Sequence, residues 1–501
     1  MAKNIGTAGS LKSGKLGVLG IVFFVVAASA PLVGMTGAVP VAMLAGNGAG
    51  TPGSYLAVGL TLLLFSVGYA AMSSKVTNTG AFFAYVGRGL GTNAGVASAF
   101  ASIVSYVTIQ LAIYGFFGGV MAGQMGAAGL DLPWFVWALA AWVLVTILSL
   151  LSVEVGAKLL GTLMIVEVLV LIITAVAILI DGGPEGYNFA ASFSPDQVLA
   201  GGFAGGAGIA IAFAFASFIG FEATAIYGEE SVDPKRSVPR ATYWAIGIIT
   251  GLFALTSFAM VTGMGATAIF DEVIARSAVD GVPLADPAAV LFSLASQYVG
   301  PWMASVMGVL VITSLFAGLL AFQNASARYF FAMGRGGVLP ATFARTNKAG
   351  APAAGAILTS VIAGLVIVGF AAANLDPILN LFFWMSATTV IALILVEVLV
   401  SIAVVRYFMK NGGANIWQAK IAPIASIVLL VFGEYLLMSR FNLLSGTVPD
   451  GVDPSLAESA WQLNTFGWVL VLSPFIAAAL GYVWAKFRMS ADSEIARDMM
   501  S

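Results

Sequence analysis

The stretch GGFAGGAGIAIAFAFASFIGFEATAIYGEE, residues 201–230, is apolar over most of its length but is interrupted by small and polar residues at 217–222. The first apolar stretch of the chain, VVAASAPLVGMTGAVPVAM at residues 25–43, has Pro31 and Gly34 near its middle. Proline removes an intrahelical hydrogen bond, and glycine has no side chain that would hold a helix. In a membrane, the backbone groups freed in this way are tolerated only where they line protein or a watery cavity. Two broken membrane helices are therefore predicted, with two ordinary kinks as the alternative.

The composition agrees with a membrane location. Of 501 residues, 60% are hydrophobic and only 9% are charged, whereas a soluble chain carries about 25% charged residues. The net charge of −2 gives no reason to expect a nucleic-acid partner. The chain has no Cys and no His, which excludes disulfides, thiolate metal sites, and Ser-His-Asp or Cys-His catalysis. We expect a multi-pass membrane protein that is not an enzyme, with no catalytic residues, no metal and no cofactor.

Apolar stretches of membrane-spanning length number twelve. They are residues 16–45, 53–72, 93–125, 133–152, 157–180, 201–227, 241–266, 300–333, 354–373, 377–408, 421–441 and 465–486. If the odd-numbered spans run outward, nineteen of the 21 Lys and Arg residues lie on the cytoplasmic side, and only Arg276 and Arg440 lie outside. This asymmetry follows the positive-inside rule and predicts that both termini are cytoplasmic.

The two interrupted spans are the first and the sixth, so each begins one half of a ten-helix unit. Paired interruptions at matching positions indicate an inverted-repeat transporter with its binding site near the middle of the membrane. The predicted organisation is an N-terminal tail (1–15), a first repeat (16–200), a second repeat (201–410), two peripheral helices (411–486) and a C-terminal tail (487–501).

Four acidic residues lie within the apolar spans, where ionisable groups are costly and therefore are candidates for function. They are Glu167, Glu222, Glu397 and Glu434. Each could instead be a structural carboxyl that bonds to a neighbouring helix. We favour Glu222 and Glu167 as functional, because Glu222 lies at the interruption of the sixth span and Glu167 lies near the centre of the fifth. Among the aromatic residues of the sixth span, Phe215 and Phe218 are the candidates to close over a bound solute.

Three motifs resemble the amino acid–polyamine–organocation superfamily. The first is FAFASFIGFEATAIYGEESVDPKRSVPRA (213–241), which is similar to the sixth-helix signature of that superfamily. The second is NASARYFFAMGRGGVLP (324–340), and the third, weaker one is TNTGAFFAYVGRGLG (77–91). The resemblance implies an all-α membrane protein with a leucine-transporter-type fold, that is, a 5+5 inverted repeat of helices followed by two peripheral helices.

The resemblance also implies a site between the unwound parts of helices one and six. The residues implied in substrate binding are Ala28, Ser29, Ala30, Pro31, Leu32, Tyr106, Phe215, Ser217, Phe218, Gly220, Phe221 and Glu222. Where the family usually has a Gly-Ser/Thr-Gly-Ile element, this chain has Ala28-Ser29-Ala30-Pro31-Leu32. That departure makes an amine without a free carboxylate a more plausible substrate.

The chain also departs from the family at the positions that would bind a coupling ion. Some relatives carry a lysine in helix five, and Glu167 occupies that position here. In helix eight, Thr313-Ser314 could bind sodium, but Ala317-Gly318 take the place of the usual hydroxyl pair. Hydroxyls alone make a poor cation site, so we favour coupling to protons through Glu167 or Glu222, or exchange without an ion, over sodium symport. The expected function is transport of amino acids or organic amines across the plasma membrane by alternating access, with substrate, protons and membrane lipids as partners. A channel is the alternative interpretation.

Overall fold

The computed structural model describes residues 17–76, 82–151, 157–222, 224, 231 and 233–488. Each of the twelve predicted spans contains helix. The first, α1, has two segments, α1a (Val18–Ala28) and α1b (residues 31–47). The others are α2 (Thr51–Ser73), α3 (Thr92–Ala127), α4 (Trp134–Leu150), α5 (Ala157–Asp181), α6 (Ala207–Phe218), α7 (Pro234–Met264), α8 (Pro301–Arg335), α9 (Ala353–Ala372), α10 (Pro377–Asn411), α11 (Trp417–Ser439) and α12 (Thr465–Arg488).

The regular structure of the described residues is helical, apart from isolated bridge residues such as the pair Val279 and Val282. Nine helices in this part of the chain are long and apolar enough to cross a membrane, or ten if the bent pair Pro195–Ala204 and Ala207–Phe218 is one span. By the same measure, α1b and α2 form one stretch, which non-helical backbone at Gly46 divides. The prediction of an all-α membrane protein is confirmed.

Helix α3 is central to the packing. It contacts α8, α10 and α12, as well as the short helix Phe82–Leu90 that precedes it. Two of its glycines, Gly115 and Gly119, leave no room for a side chain against the start of α10, so close approach of the two helices requires glycine there. Helix α6 packs on α2, α10 and α11, while α1a packs on α5 and α7. The two interrupted helices are thus enclosed by other helices, as non-helical backbone in a membrane requires.

Some predicted features lie outside the described residues. They are the N-terminal tail with Lys3, Lys12 and Lys15, the pair Glu229-Glu230 of the sixth-helix motif, residues 77–81 of the third motif, and residues 489–501 of the C-terminal tail.

Candidate functional site

The break in α1 lies where Pro31 predicts it. Helix α1a ends at Ala28, and the hydroxyl of Ser29 donates a hydrogen bond to the carbonyl oxygen of Val26 at 2.8 Å. Ala30 then adopts a left-handed conformation, with φ 43° and ψ 69°, and Pro31 begins α1b. A non-glycine residue in this region is strained. Proline is tolerated at a first helical position because the N–H that it lacks would have no partner there.

The break in α6 is built differently. The helix ends at Phe218, Ile219 is extended with ψ 131°, and Gly220 has φ 111°. Glycine is needed at that angle because a side chain would be strained. The N–H of Gly220 donates to Oε2 of Glu222 at 2.8 Å, so the carboxyl group of Glu222 holds the turn that follows the helix.

The two breaks touch each other. A Cβ atom added to Gly220 would lie 2.9 Å from Cβ of Ala28 and 3.6 Å from the backbone nitrogen of Ser29. A Cβ added to Gly34 of α1b would lie 3.3 Å from Oγ of Ser217. The structure therefore brings residues 28–32 and 217–222, which lie far apart in the sequence, into one centre.

Glu222 is fixed at this centre from several sides. The hydroxyl of Tyr106, on α3, donates to its Oε1 at 3.1 Å, while Gly220 binds its Oε2. The hydroxyl of Tyr69, on α2, donates to the backbone carbonyl of Glu222 at 2.8 Å. Only 1% of Glu222 is exposed. Both carboxyl oxygens thus have a donor within the protein, and the residue ties α6 to α3.

Aromatic side chains surround the break but point in different directions. The ring of Phe218 lies 6.1 Å from that of Phe253 on α7, and Phe221 packs edge-on against Phe65 of α2 at 5.9 Å. Phe215 lies elsewhere: its ring faces α11, where a Cβ on Gly433 would be 3.4 Å away. Phe218 and Phe221 are therefore near the centre, and Phe215 packs on a peripheral helix.

Two tyrosines of α2 belong to the centre but were not among the residues selected from the sequence. Tyr69 binds the carbonyl of Glu222, and the hydroxyl of Tyr55 lies 3.1 Å from Oγ of Ser217. Both are fully buried. Their separation in the sequence is close to four full helical turns, so they share one face of α2. That spacing is the signal that would have identified them.

Glu167 lies on α5, a helix that contacts the first turn of α1b. It is 4% exposed, and the hydroxyl of Ser314 on α8 donates to its Oε2 at 3.0 Å. The segment Pro31–Val33 contacts both α5 and α8. Thr313, in contrast, donates to the carbonyl of Leu310 within its own helix at 2.9 Å. Of the two hydroxyls considered for sodium, Ser314 is thus the one that bonds to another helix, and its partner is the carboxyl of Glu167.

The other two intramembrane carboxyls have no such partners. The carboxyl oxygens of Glu397 and Glu434 are buried without a hydrogen-bond partner in the described part of the chain. The same part contains no group of three or more Asp, Glu, His or Cys side chains that could hold a metal ion.

The family model for amino acid permeases matches residues 20–490. The chain belongs to the amino acid permease family. The superfamily resemblance of its motifs is confirmed by this match, and the chain is an integral membrane protein.

Three relatives agree with that family. An uncharacterised transporter of Legionella pneumophila is 27% identical over 58% of this chain and 61% of its own length. The lysine-specific permease LysP of Escherichia coli is 25% identical over 62% of each chain. The branched-chain amino acid permease BcaP of Lactococcus lactis is 26% identical over 64% of this chain and 69% of its own. The match therefore spans a little under two thirds of the first two relatives. All three are named as permeases or transporters, in agreement with the expectation of a non-enzyme.

A solved structure extends the likeness to the whole chain. The manganese transporter of Eremococcus coleocola superimposes with a TM-score of 0.57 at 14% identity, covering 99% of both chains. At this identity the likeness concerns the fold alone. The prediction of a leucine-transporter-type fold is confirmed.

Proposed function

We propose that this permease is a secondary active transporter that carries amino acids or related organic amines by alternating access, coupled to protons. Its family and the names of its relatives support amino acids as the substrate class. In this proposal residues 16–200 and 201–410 are the inverted repeats, and residues 411–486 form the peripheral helices.

The contact between the two helix breaks is the observation that carries this proposal. The first turn of a helix has N–H groups without intrahelical acceptors, and the positive end of the helix dipole attracts a carboxylate. In α1b, Pro31 has no N–H, which leaves the N–H groups of Leu32 and Val33 in that turn. Carbonyls at the end of α1a and beside Gly220 suit an ammonium group. A site with fewer donors for a carboxylate favours substrates whose amine makes the main contact.

The same geometry indicates which side chains would contact the substrate. We place the substrate between residues 28–32 and 217–222, with Tyr106 beside it. Phe218 is our candidate for the gate, because it lies at the end of α6 next to the break. The position of Phe215 against α11 does not support contact with the substrate.

For coupling, the two carboxyl groups differ in what already binds them. Glu222 receives one donor on each oxygen and holds the α6 break. Glu167 receives one hydroxyl, from Ser314, and lies on a helix that touches α1b. Ionisation in an apolar environment is unfavourable without compensation. A proton that neutralises Glu167 would change how α5 and α8 pack on α1b, and this difference between states is what coupling requires. We therefore assign proton coupling to Glu167 and a positioning role to Glu222.

Uptake by the purified protein in proteoliposomes tests the proposal. The substrates are lysine and leucine, each paired with its decarboxylated amine, and an imposed inward pH gradient is the driving force. We expect concentrative uptake from this panel, stronger with the gradient than without it. Uptake that equals that of protein-free liposomes for every compound would refute transport of this class. Equal exchange with and without the gradient would establish an exchanger without ion coupling.

The topology in the cell membrane is part of the same proposal. We expect both termini in the cytoplasm and Ser194, which lies between the short helices Phe189–Phe193 and Pro195–Val198, outside. The chain has no cysteine, so Ser194→Cys gives one labelling position. An impermeant thiol reagent should label it in intact cells, and labelling from the cytoplasmic face alone would refute this orientation.

A further inference from the structure

An apolar groove of about 420 Å³ lies between the last third of α10 and the first turns of α11. Its walls include Ile402, Met409 and Ile424, and two basic residues, Arg406 and Lys410, lie at its edge. Nothing in the proposed transport mechanism uses this groove.

The walls of the groove face outward. Ile402 is 40% exposed, Ile424 is 49% exposed and Met409 is 65% exposed, although all three belong to membrane-spanning helices. Apolar side chains that are exposed at this position contact acyl chains when the protein is in a bilayer.

The basic residues have no acidic partner. Arg406 and Lys410 are exposed, lie one turn apart in the last two turns of α10, and form no ion pair with any described residue. Residues 398–433 contain no Asp or Glu but include Lys420 at the start of α11. Net positive charge therefore borders the end of the groove where α10 leaves the membrane.

We propose that this groove binds one anionic phospholipid. Its phosphate lies between Arg406 and Lys410, and an acyl chain lies along the walls formed by Ile402, Met409 and Ile424. Arginine pairs with phosphate in a bidentate manner, and lysine adds a point charge. A zwitterionic lipid gains less binding free energy from this basic pair, because the cation of its own headgroup offsets the charge of its phosphate. Basic pockets between helices at the membrane surface are typical sites for acidic lipid headgroups.

Lipid titration of the purified full chain tests this proposal. Phosphatidylglycerol and phosphatidylcholine with identical acyl chains are added to the protein in detergent, and bound lipid is counted by native mass spectrometry. We expect wild type to prefer phosphatidylglycerol. In the double variant Arg406→Gln/Lys410→Gln, phosphatidylglycerol should bind roughly 30-fold more weakly, since each basic group near the membrane surface contributes about 1 kcal/mol. Binding of phosphatidylcholine should weaken much less, which also shows that the variant is folded.

The matched control is Arg345→Gln/Lys348→Gln, an exposed basic pair in the loop between α8 and α9 that does not border the groove. It should bind phosphatidylglycerol as wild type does. An equal loss in both double variants would overturn the proposal, because it would show attraction to basic surface in general.

Two further arms separate a lipid from other occupants. Ile402→Trp keeps both charges but fills the groove, and we expect it also to lose phosphatidylglycerol. Full retention of binding in this variant, or displacement of the lipid by millimolar inorganic phosphate, would overturn the acyl-chain contact and indicate a free-anion site. Light scattering measures the oligomeric state. If wild type is a dimer and only the Arg406→Gln/Lys410→Gln variant loses the dimer, the groove binds a second copy of the chain and the lipid proposal is overturned.

Discussion

The breaks of α1 and α6 meet at one point but are stabilised by different means. In α6, Gly220 adopts its positive φ without strain, and Glu222 binds the freed N–H while Tyr106 binds Glu222. In α1, Ala30 adopts a left-handed conformation that is strained for an alanine, and Pro31 begins the next segment. The turn at α6 is thus held by Glu222 and by tyrosines from α2 and α3, whereas that at α1 is held by its own backbone geometry and the hydroxyl of Ser29.

This difference indicates which break is suited to respond to a coupling ion. Both oxygens of the Glu222 carboxyl at the α6 break already accept hydrogen bonds from within the protein. The carboxyl of Glu167 is bound by Ser314, and both residues lie on helices that contact the first turn of α1b. We infer that α6 provides the fixed side of the site and that α1, α5 and α8 provide the side that changes between states.

Removing the carboxyl of Glu222 should have the largest effect on stability. Glu222→Ala leaves the Gly220 N–H and the Tyr106 hydroxyl buried without an acceptor, and we expect a loss of about 2–4 kcal/mol in stability. Tyr106→Phe removes only one bond and should cost about 1 kcal/mol. Thermal unfolding in detergent measures both. If the two variants are equally stable, Glu222 does not hold the turn.

Adding a methyl group to Gly220 should have the next largest effect on stability. Gly220→Ala forces a side chain into a positive-φ position and against Ala28, and we expect about 1–3 kcal/mol of destabilisation together with substrate binding weakened by roughly tenfold or more. The control is Gly251→Ala on α7, where an added Cβ meets nothing within 4 Å and alanine favours the helix. Wild-type affinity in Gly220→Ala would show that the contact between the breaks does not shape the site.

Relieving the strain in α1 should change stability by a smaller amount and should raise it. In Ala30→Gly, the left-handed conformation loses its steric cost, and we expect stabilisation of up to about 1 kcal/mol. In Ala254→Gly, at a half-buried position in the interior of α7, the same replacement should cost about 1 kcal/mol. Denaturation curves of the two variants provide the comparison. Equal destabilisation would show that Ala30 is not strained.

Much of the fold could be predicted from the sequence, because span length, Pro31, the Ser-Gly-Glu interruption of the sixth span and the basic-residue asymmetry are local signals. The burial of Glu167 also followed from its position in an apolar span. Such signals do not say which side chains meet across helices. The bond between Tyr69 and the carbonyl of Glu222 joins residues 153 positions apart, and the direction of the Phe215 ring depends on how α6 rotates against α11.

The near-continuity of α1b and α2 was also not predictable. The spans 16–45 and 53–72 predict two separate helices, and non-helical backbone at Gly46 divides them, but the chain passes from one helix to the next within a few residues. Hydrophobic length gives the number of segments that can cross a membrane, but the angle between successive segments is set by packing on neighbouring helices.

If Glu167 carries the coupling proton, the Glu167→Gln variant should separate transport from the pH gradient. Glutamine mimics the neutral carboxyl group and can accept the hydrogen bond from Ser314, but it does not titrate. In proteoliposomes, we expect the variant to retain substrate exchange and to lose accumulation driven by a pH gradient, while the control Glu434→Gln in peripheral helix α11 accumulates substrate as wild type does. Wild-type accumulation by Glu167→Gln under the same gradient would show that Glu167 is not the proton carrier.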